Sequence, residues 1–246
     1  MKFETIEAEY ELEFYSINNY FIDINSIGKS FREFCRQNSS LNVVGSLVNN
    51  KLKPIPNNDI VPLFSSVTNK VDYIDLKNEE NGNYYRMGIT YWPDSCFLEN
   101  LSCERVRITF SAPAEASTEF ILNIFLSICE IFKCYWGQLH RISVAGEDCY
   151  YDNTDHTSLV PQLALYNYFC DHYVNFLGGA DLFEKAGFVS ITAHNDGILS
   201  NLFDIDDDIT SDAFFQKRSL VQNALDKHNY FSETDWEKLR PGLMKR

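Results

Sequence analysis

The chain has no surplus of positive charge: 21 Lys and Arg stand against 35 Asp and Glu in 246 residues, a formal net charge of −14 at pH 7. A nucleic-acid binder draws much of its affinity from a basic surface that displaces counterions, and that surplus is missing. The same sign argues against adhesion to an anionic membrane leaflet. Nor is there an apolar run near the roughly 18 residues of a membrane span. The closest, 120–136, is interrupted by Asn123, Ser127, Glu130 and Lys133. Met1-Lys2-Phe3-Glu4 leads into alternating glutamates instead of the apolar stretch of a signal peptide. A cytoplasmic protein is expected.

Paired metal-binding cysteines are also missing. The seven Cys, at 35, 96, 103, 129, 134, 149 and 170, include no Cys-x-x-Cys, which leaves zinc ribbons and thioredoxin-like chemistry unsupported. Reduced thiols are the simplest expectation, with Cys129 and Cys134 acting as small hydrophobes in their apolar run.

The recurring catalytic motifs are absent too. There is no Gly-x-x-x-x-Gly-Lys-Ser/Thr, Gly-x-Gly-x-x-Gly, Gly-x-Ser-x-Gly or His-Glu-x-x-His. Gly178-Gly179 opens no phosphate loop and suits a helix stop. The five His are scattered, at 140, 156, 172, 194 and 228. Asp152, Asp155 and His156, with His194, are the residues from which a metal or acid–base site could be assembled. The plainer reading of Asp152–His156 is a polar loop capping a following helix, and His172 reads as half-buried packing. Pro93-Asp94 resembles the start of the restriction-endonuclease metal motif, but Asp75-Leu76-Lys77 has the companion spacing on the wrong, upstream side. Chance is the better account. No catalytic residue, metal or cofactor is therefore expected.

What is present is core material: 45% hydrophobic and 15% aromatic residues. Residues 3–14 alternate, with Ala8, Tyr10, Leu12 and Phe14 on one parity and Glu7, Glu9, Glu11 and Glu13 on the other. That period of two predicts a strand with one wet face, suited to an edge or outer position. A short amphipathic helix is expected at 27–37, with Ile27, Phe31, Phe34 and Cys35 inward. Residues 38–58 read mostly as loop, 59–68 as a helical turn and 76–83 as a polar turn around Asn81-Gly82. Strands are expected at 84–92 and 105–111, the second stopped by Pro113.

A helix over 118–136, capped by Ser117 or Thr118, has one polar stripe: Glu119, Asn123, Ser127, Glu130 and Lys133. It reads as the central helix lying on the sheet. A hairpin at 138–152 turns at Gly146-Glu147-Asp148. A second long helix is expected at 159–177, with Asn167, Asp171 and Asn175 as its polar stripe and Gly178 as its stop. Runs 188–193 and 197–203 form a hairpin across Asn195-Asp196-Gly197. A final helix at 212–228 has Asp212 as its cap and Lys227 and His228 at its end. Hairpins separated by helices, without regular βα alternation, predict an α+β fold with a mostly antiparallel sheet and a few long helices. With no dividing linker and no repeat, 1–246 read as one domain.

Asp204, Asp206, Asp207, Asp208 and Asp212 place five carboxylates within nine residues. A calcium loop starting at Asp204 would need Gly and Glu where Ile209 and Phe215 stand. A solvated loop is the common reason for such a run; the functional alternative is a docking surface for a basic partner. The Glu7–Glu13 row is open to the same alternative.

The C-terminal two-thirds resembles bacterial immunity proteins of polymorphic-toxin and type VI secretion systems, of the group found beside restriction-endonuclease-like toxins. The resemblance is carried by Leu165-Tyr166-Asn167-Tyr168-Phe169-Cys170-Asp171-His172-Tyr173, by Gly178-Gly179-Ala180-Asp181-Leu182-Phe183, by His194-Asn195-Asp196-Gly197-Ile198-Leu199, by the helix ending near Ala224-Leu225, and by Tyr135-Trp136-Gly137. It implies a non-catalytic α+β protein that binds a cognate toxin and occludes its active site. The carboxylates of Glu7, Glu9, Glu11, Glu13, Asp204, Asp206, Asp207, Asp208 and Asp212 would then imitate a phosphate backbone. The competing readings are another interaction or adaptor protein, and an enzyme built around Asp152, Asp155 and His156. A homodimer is a further expectation, because an aromatic-rich chain can expose an apolar patch.

Overall fold

Alternating apolar residues on β1 (Ala8–Ser16) put Tyr10, Leu12 and Phe14 into the core. The computed structural model describes residues 8–16, 24–38, 41–48, 51–53, 72–78, 84–98, 101–112, 117–131, 133–144, 147–148, 163–204 and 211–225. Its further elements are α1 (Ile24–Gln37), β2 (Leu41–Val48), β3 (Lys51–Lys53), β4 (Asp72–Asn78), β5 (Tyr84–Leu98), β6 (Leu101–Ala112), α2 (Thr118–Ile131), β7 (Trp136–Val144), β8 (Glu147–Asp148), β9 (Tyr166–Cys170), α3 (Asp171–Leu177), α4 (Ala180–Lys185), β10 (Ser190–His194), β11 (Gly197–Asn201) and α5 (Asp212–Leu225). All described strands join one sheet in the order β10-β11-β9-β7-β1-β6-β5-β4-β2-β3, with β8 on β7. Every described pairing is antiparallel. The fold is α+β.

Several elements differ from the sequence reading. Residues 38–58 are not mostly loop: β2 and β3 form a hairpin, with Val48 opposite Lys51. Only Asn49-Asn50 separates them, a pair suited to a tight turn. The Asn and Ser content masked the alternation of Leu41, Val43 and Leu47. β4 persists through Asn78, into the expected turn. β5 runs past Trp92 because its register slips between Trp92 and Ser95, and Pro93 sits in that irregularity, where a missing N–H is tolerated. The β7–β8 hairpin pairs Val144 with Glu147, so Glu147 and Asp148 belong to the strand and the connection is Ala145-Gly146.

The largest correction concerns 159–177. Among its described residues Tyr166–Cys170 is a strand, and Asp171–Leu177 is the helical part. All five β9 residues are buried. A strand covered on both faces loses its period of two, so the sequence imitates a buried helix. Asn167, expected on a polar stripe, is buried: its Oδ1 accepts from Ala164 N–H and its Nδ2 donates to Ala164 O, both at 2.9 Å.

α2 lies on the face of the sheet that carries Leu12 and Phe14, its Phe125 ring 5.7 Å from Phe14. It ends at Ile131, not at Trp136. Lys133 takes a left-handed φ of 45°, Lys133 N–H bonds Glu130 O, and Cys134 N–H bonds Cys129 O. Those two bonds form a Schellman stop. Ser117 caps the other end, its Oγ accepting from Phe120 N–H at 3.2 Å. The opposite face is covered by α3 and α4: Phe169 stacks on Trp136 and Tyr173 and meets Phe183 edge-on, 5.1 Å between centroids.

Two substitutions test these local constraints. Glycine at Lys133 adopts the left-handed φ without steric cost, so Lys133→Gly is expected to raise stability by about 0.5–1 kcal/mol in urea unfolding. At Gly197 an added Cβ would press into the Phe169 carbonyl oxygen and stand 2.8 Å from the Tyr168 ring. Gly197→Ala is expected to cost roughly 1–3 kcal/mol in the same measurement.

Candidate functional site

The acidic segments occupy two different structural settings. β1 is an inner strand, paired on one side with β6 and on the other with β7, which overturns the edge or outer position expected for it. Alternation reports which face is buried but not which neighbours flank the strand. In the ladders Glu9 stands opposite Ser111 and Ser143, Glu11 opposite Thr109 and His140, and Glu13 opposite Arg107 and Gln138. Ser111, Gln138 and His140 are buried. The row is therefore interleaved with neutral and basic positions, and a partner cannot reach it from the sheet margin. Glu7 lies outside the described residues.

The Asp204–Asp212 segment leaves from the end of β11. Asp204 is exposed, and its Oδ1 accepts from Asn201 Nδ2 at 3.4 Å. Asp212 is also exposed, but it is not the helix cap. Ser211 is: its Oγ accepts from Phe214 N–H at 3.2 Å. Asp212 instead begins the first turn of α5, where a carboxylate complements the helix dipole. The two ends of the segment are pinned together by Phe203 and Phe214, whose rings are 5.2 Å apart. Lys217 sits over Phe203 and Arg218 over Phe214 and Phe215. Asp206, Asp207 and Asp208 lie outside the described residues.

Strand register relates the two acidic regions. Asn201 is opposite Tyr166, Tyr166 opposite Leu139, and Leu139 opposite Leu12. The chain thus leaves β11 level with the middle of β1, three strand spacings away, about 14 Å at the usual interstrand distance.

A concavity of about 350 Å³ is lined by Cys129, Glu130, Lys133, Asn195 and Asp196. It lies between the Schellman stop of α2 and the β10–β11 turn, where Asn195 has φ 49°. Tyr168 Oη donates to Asp196 Oδ1 at 2.8 Å, and the half-buried His194 ring meets Tyr168 edge-on at 6.4 Å. Sequence reasoning missed this cleft because its residues come from two segments with no shared motif; the Asp-Gly turn was the one available signal. Burial raises the Tyr168 hydroxyl well above the usual phenol range, with Cys134 and then the Asp196 carboxylate adding to the shift. Burial likewise raises the Cys129 thiol, with Cys134 beside it, and pushes Cys35 up to about 12. At neutral pH these groups keep their protons: Tyr168 is a hydrogen-bond donor, and the thiols are not nucleophiles.

Asp152, Asp155, His156 and His228 lie outside the described residues. His172 is half-buried on α3. Among the described residues, no three of His, Cys, Asp and Glu come together as metal ligands would, and no helix is long and apolar enough to cross a membrane. Asp75 pairs in register with Arg86, and Asp94 lies eight residues further along β5, roughly 26 Å at strand rise. The nuclease-like spacing is a coincidence.

Raised pKa values on protonated acids set the direction of alkaline stability. The unfolded chain loses these protons first, from about pH 8.5 for thiols and about pH 10 for tyrosine, so stability contributed below those values falls as pH rises through them. Urea midpoints measured between pH 7 and 11 are expected to drop above about pH 8.5–10, and Tyr168→Phe to flatten the tyrosine part of that drop. Compared with known protein families and with curated proteins, the chain matches none.

Proposed function

We propose that this chain is a non-catalytic cytoplasmic binding protein of the immunity class, which neutralises a bacterial toxin by covering a basic surface at the toxin's active site. The single observation that carries the reading is the pair of exposed carboxylates Asp204 and Asp212, held near one another by the contact between Phe203 and Phe214. In a chain of net charge −14, such a pair steers a cationic partner into place and fixes its register. The sequence resemblance to immunity proteins supplies the class, and an acidic face supplies the chemistry for blocking a nuclease by imitation of phosphates. The β1 glutamates act as a secondary contribution to the field, because their strand is flanked on both sides.

The test is co-expression with the toxin domain encoded beside this gene, followed by purification of the pair and stopped-flow association. Growth rescue with a stable complex is expected. Asp204→Lys with Asp212→Lys is expected to lower the association rate by roughly 10-fold or more at low salt, with a smaller loss near 0.5 M salt. Failure of rescue refutes the immunity class. Rescue with an unchanged association rate refutes the docking segment alone.

A further inference from the structure

β10 closes one end of the sheet. Among the described residues it pairs only with β11. Edges of this kind are normally blunted by lysine, proline or inward charge, because their free N–H and C=O groups template pairing with another strand. β10 reads Ser190-Ile191-Thr192-Ala193-His194 and carries neither lysine nor proline. Indeed 186–195 contains no Asp, Glu, Lys or Arg in a chain that is 23% charged. Ser190, Thr192 and Ala193 are exposed.

The apolar surface gathers beside this edge. Val189, 52% exposed, and Leu220, 71% exposed, are the exposed large hydrophobics among the described residues. A methyl at Gly187 would lie 3.7 Å from Val221 Cγ2, so the lead-in to β10 packs against α5 at the turn that bears Leu220.

The hydrogen-bonding direction of the edge follows from its neighbours. Leu202 N–H bonds Leu165 O at 2.8 Å and Asp171 N–H bonds Asp196 O at 2.7 Å. Alternation then turns the backbone groups of Ile198 and Ser200 toward β9, and those of Gly197, Leu199 and Asn201 toward β10. Ser190, Thr192 and His194 are opposite Asn201, Leu199 and Gly197 and face inward. Ile191 and Ala193 present their N–H and C=O groups outward.

This pattern is self-complementary. Two antiparallel copies of β10 centred on Thr192 set Ile191 of each against Ala193 of the other as hydrogen-bonded pairs. Thr192 then meets Thr192 of the partner subunit across the twofold axis, as a close non-hydrogen-bonded pair. We propose that this edge is the interface of a homodimer in which the sheet runs continuously from one chain into the next. Charge selects the occupant. Two chains of net charge −14 repel wherever their acidic surfaces approach, and 186–195 is a strip free of formal charge along which they can meet. A basic partner gains nothing from a neutral strip and is served by the carboxylates elsewhere. The proposal rests on the strand edge and not on the toxin-binding reading.

Thr192 is exposed, so changing it spares the core. Sedimentation of the full chain at roughly 1–100 μM is expected to show a concentration-dependent dimer. Thr192→Asp and Thr192→Lys each put like charges face to face on the axis, and each is expected to run with the mass of one chain. An equimolar mixture of the two is expected to recover the dimer, which a folding defect could not produce. Circular dichroism of each variant is expected to match the parent. A parent chain that stays monomeric over that range overturns the proposal, whether the edge then takes a strand from another protein or nothing. So does a dimer that both variants leave intact, or a mixture that fails to associate.

Discussion

The β10–β11 half of the molecule depends on β9 being buried on both faces. Five residues, Tyr166–Cys170, connect the β10–β11 hairpin to β7 and through it to β1. One face of β9 supplies Phe169 to the stack with Trp136, Tyr173 and Phe183; the other places Tyr168 against the β10–β11 turn. A strand so enclosed has no solvent to satisfy its approach, and Asn167 closes that gap by giving and accepting hydrogen bonds at Ala164. The acidic segment and the open sheet edge both extend from elements that β9 holds in place.

Legibility in the sequence followed the physics of burial. One-faced elements were readable: Tyr10, Leu12 and Phe14 on β1, Ile108 and Phe110 on β6, and the exposed Glu119, Asn123 and Glu130 on α2 all match their exposure. The Asp-Gly hairpin was readable because Gly197 has no room for a Cβ. β9 was not, since apolar residues on both faces erase periodicity. The neighbours of β1 were not, because pairing partners some hundred residues distant leave no mark on local alternation. The end of α2 was hidden by a lysine where a glycine would have announced the stop.

The candidate site was legible as composition rather than as place. The Asp204–Asp212 run is visible in any reading of the chain, but the contact between Phe203 and Phe214 that brings its two ends together is not. Surface character then divides by location: carboxylates leave the sheet at the Asn201 end, while the outer margin of β10 is neutral and partly apolar. Such a division lets one acidic chain present two chemically distinct surfaces.

The inner position of β1 has a consequence for biosynthesis. The strand leaves the ribosome before both its partners, which lie far downstream and end at Ala112 and Val144. At ordinary translation speeds the second partner appears on the order of ten seconds after the first strand is complete. During that interval an apolar segment waits unpaired, and the loop closure needed to seat it is long. Seating β1 between β6 and β7 therefore closes a long loop on each side, which is the kind of non-local pairing that slows folding.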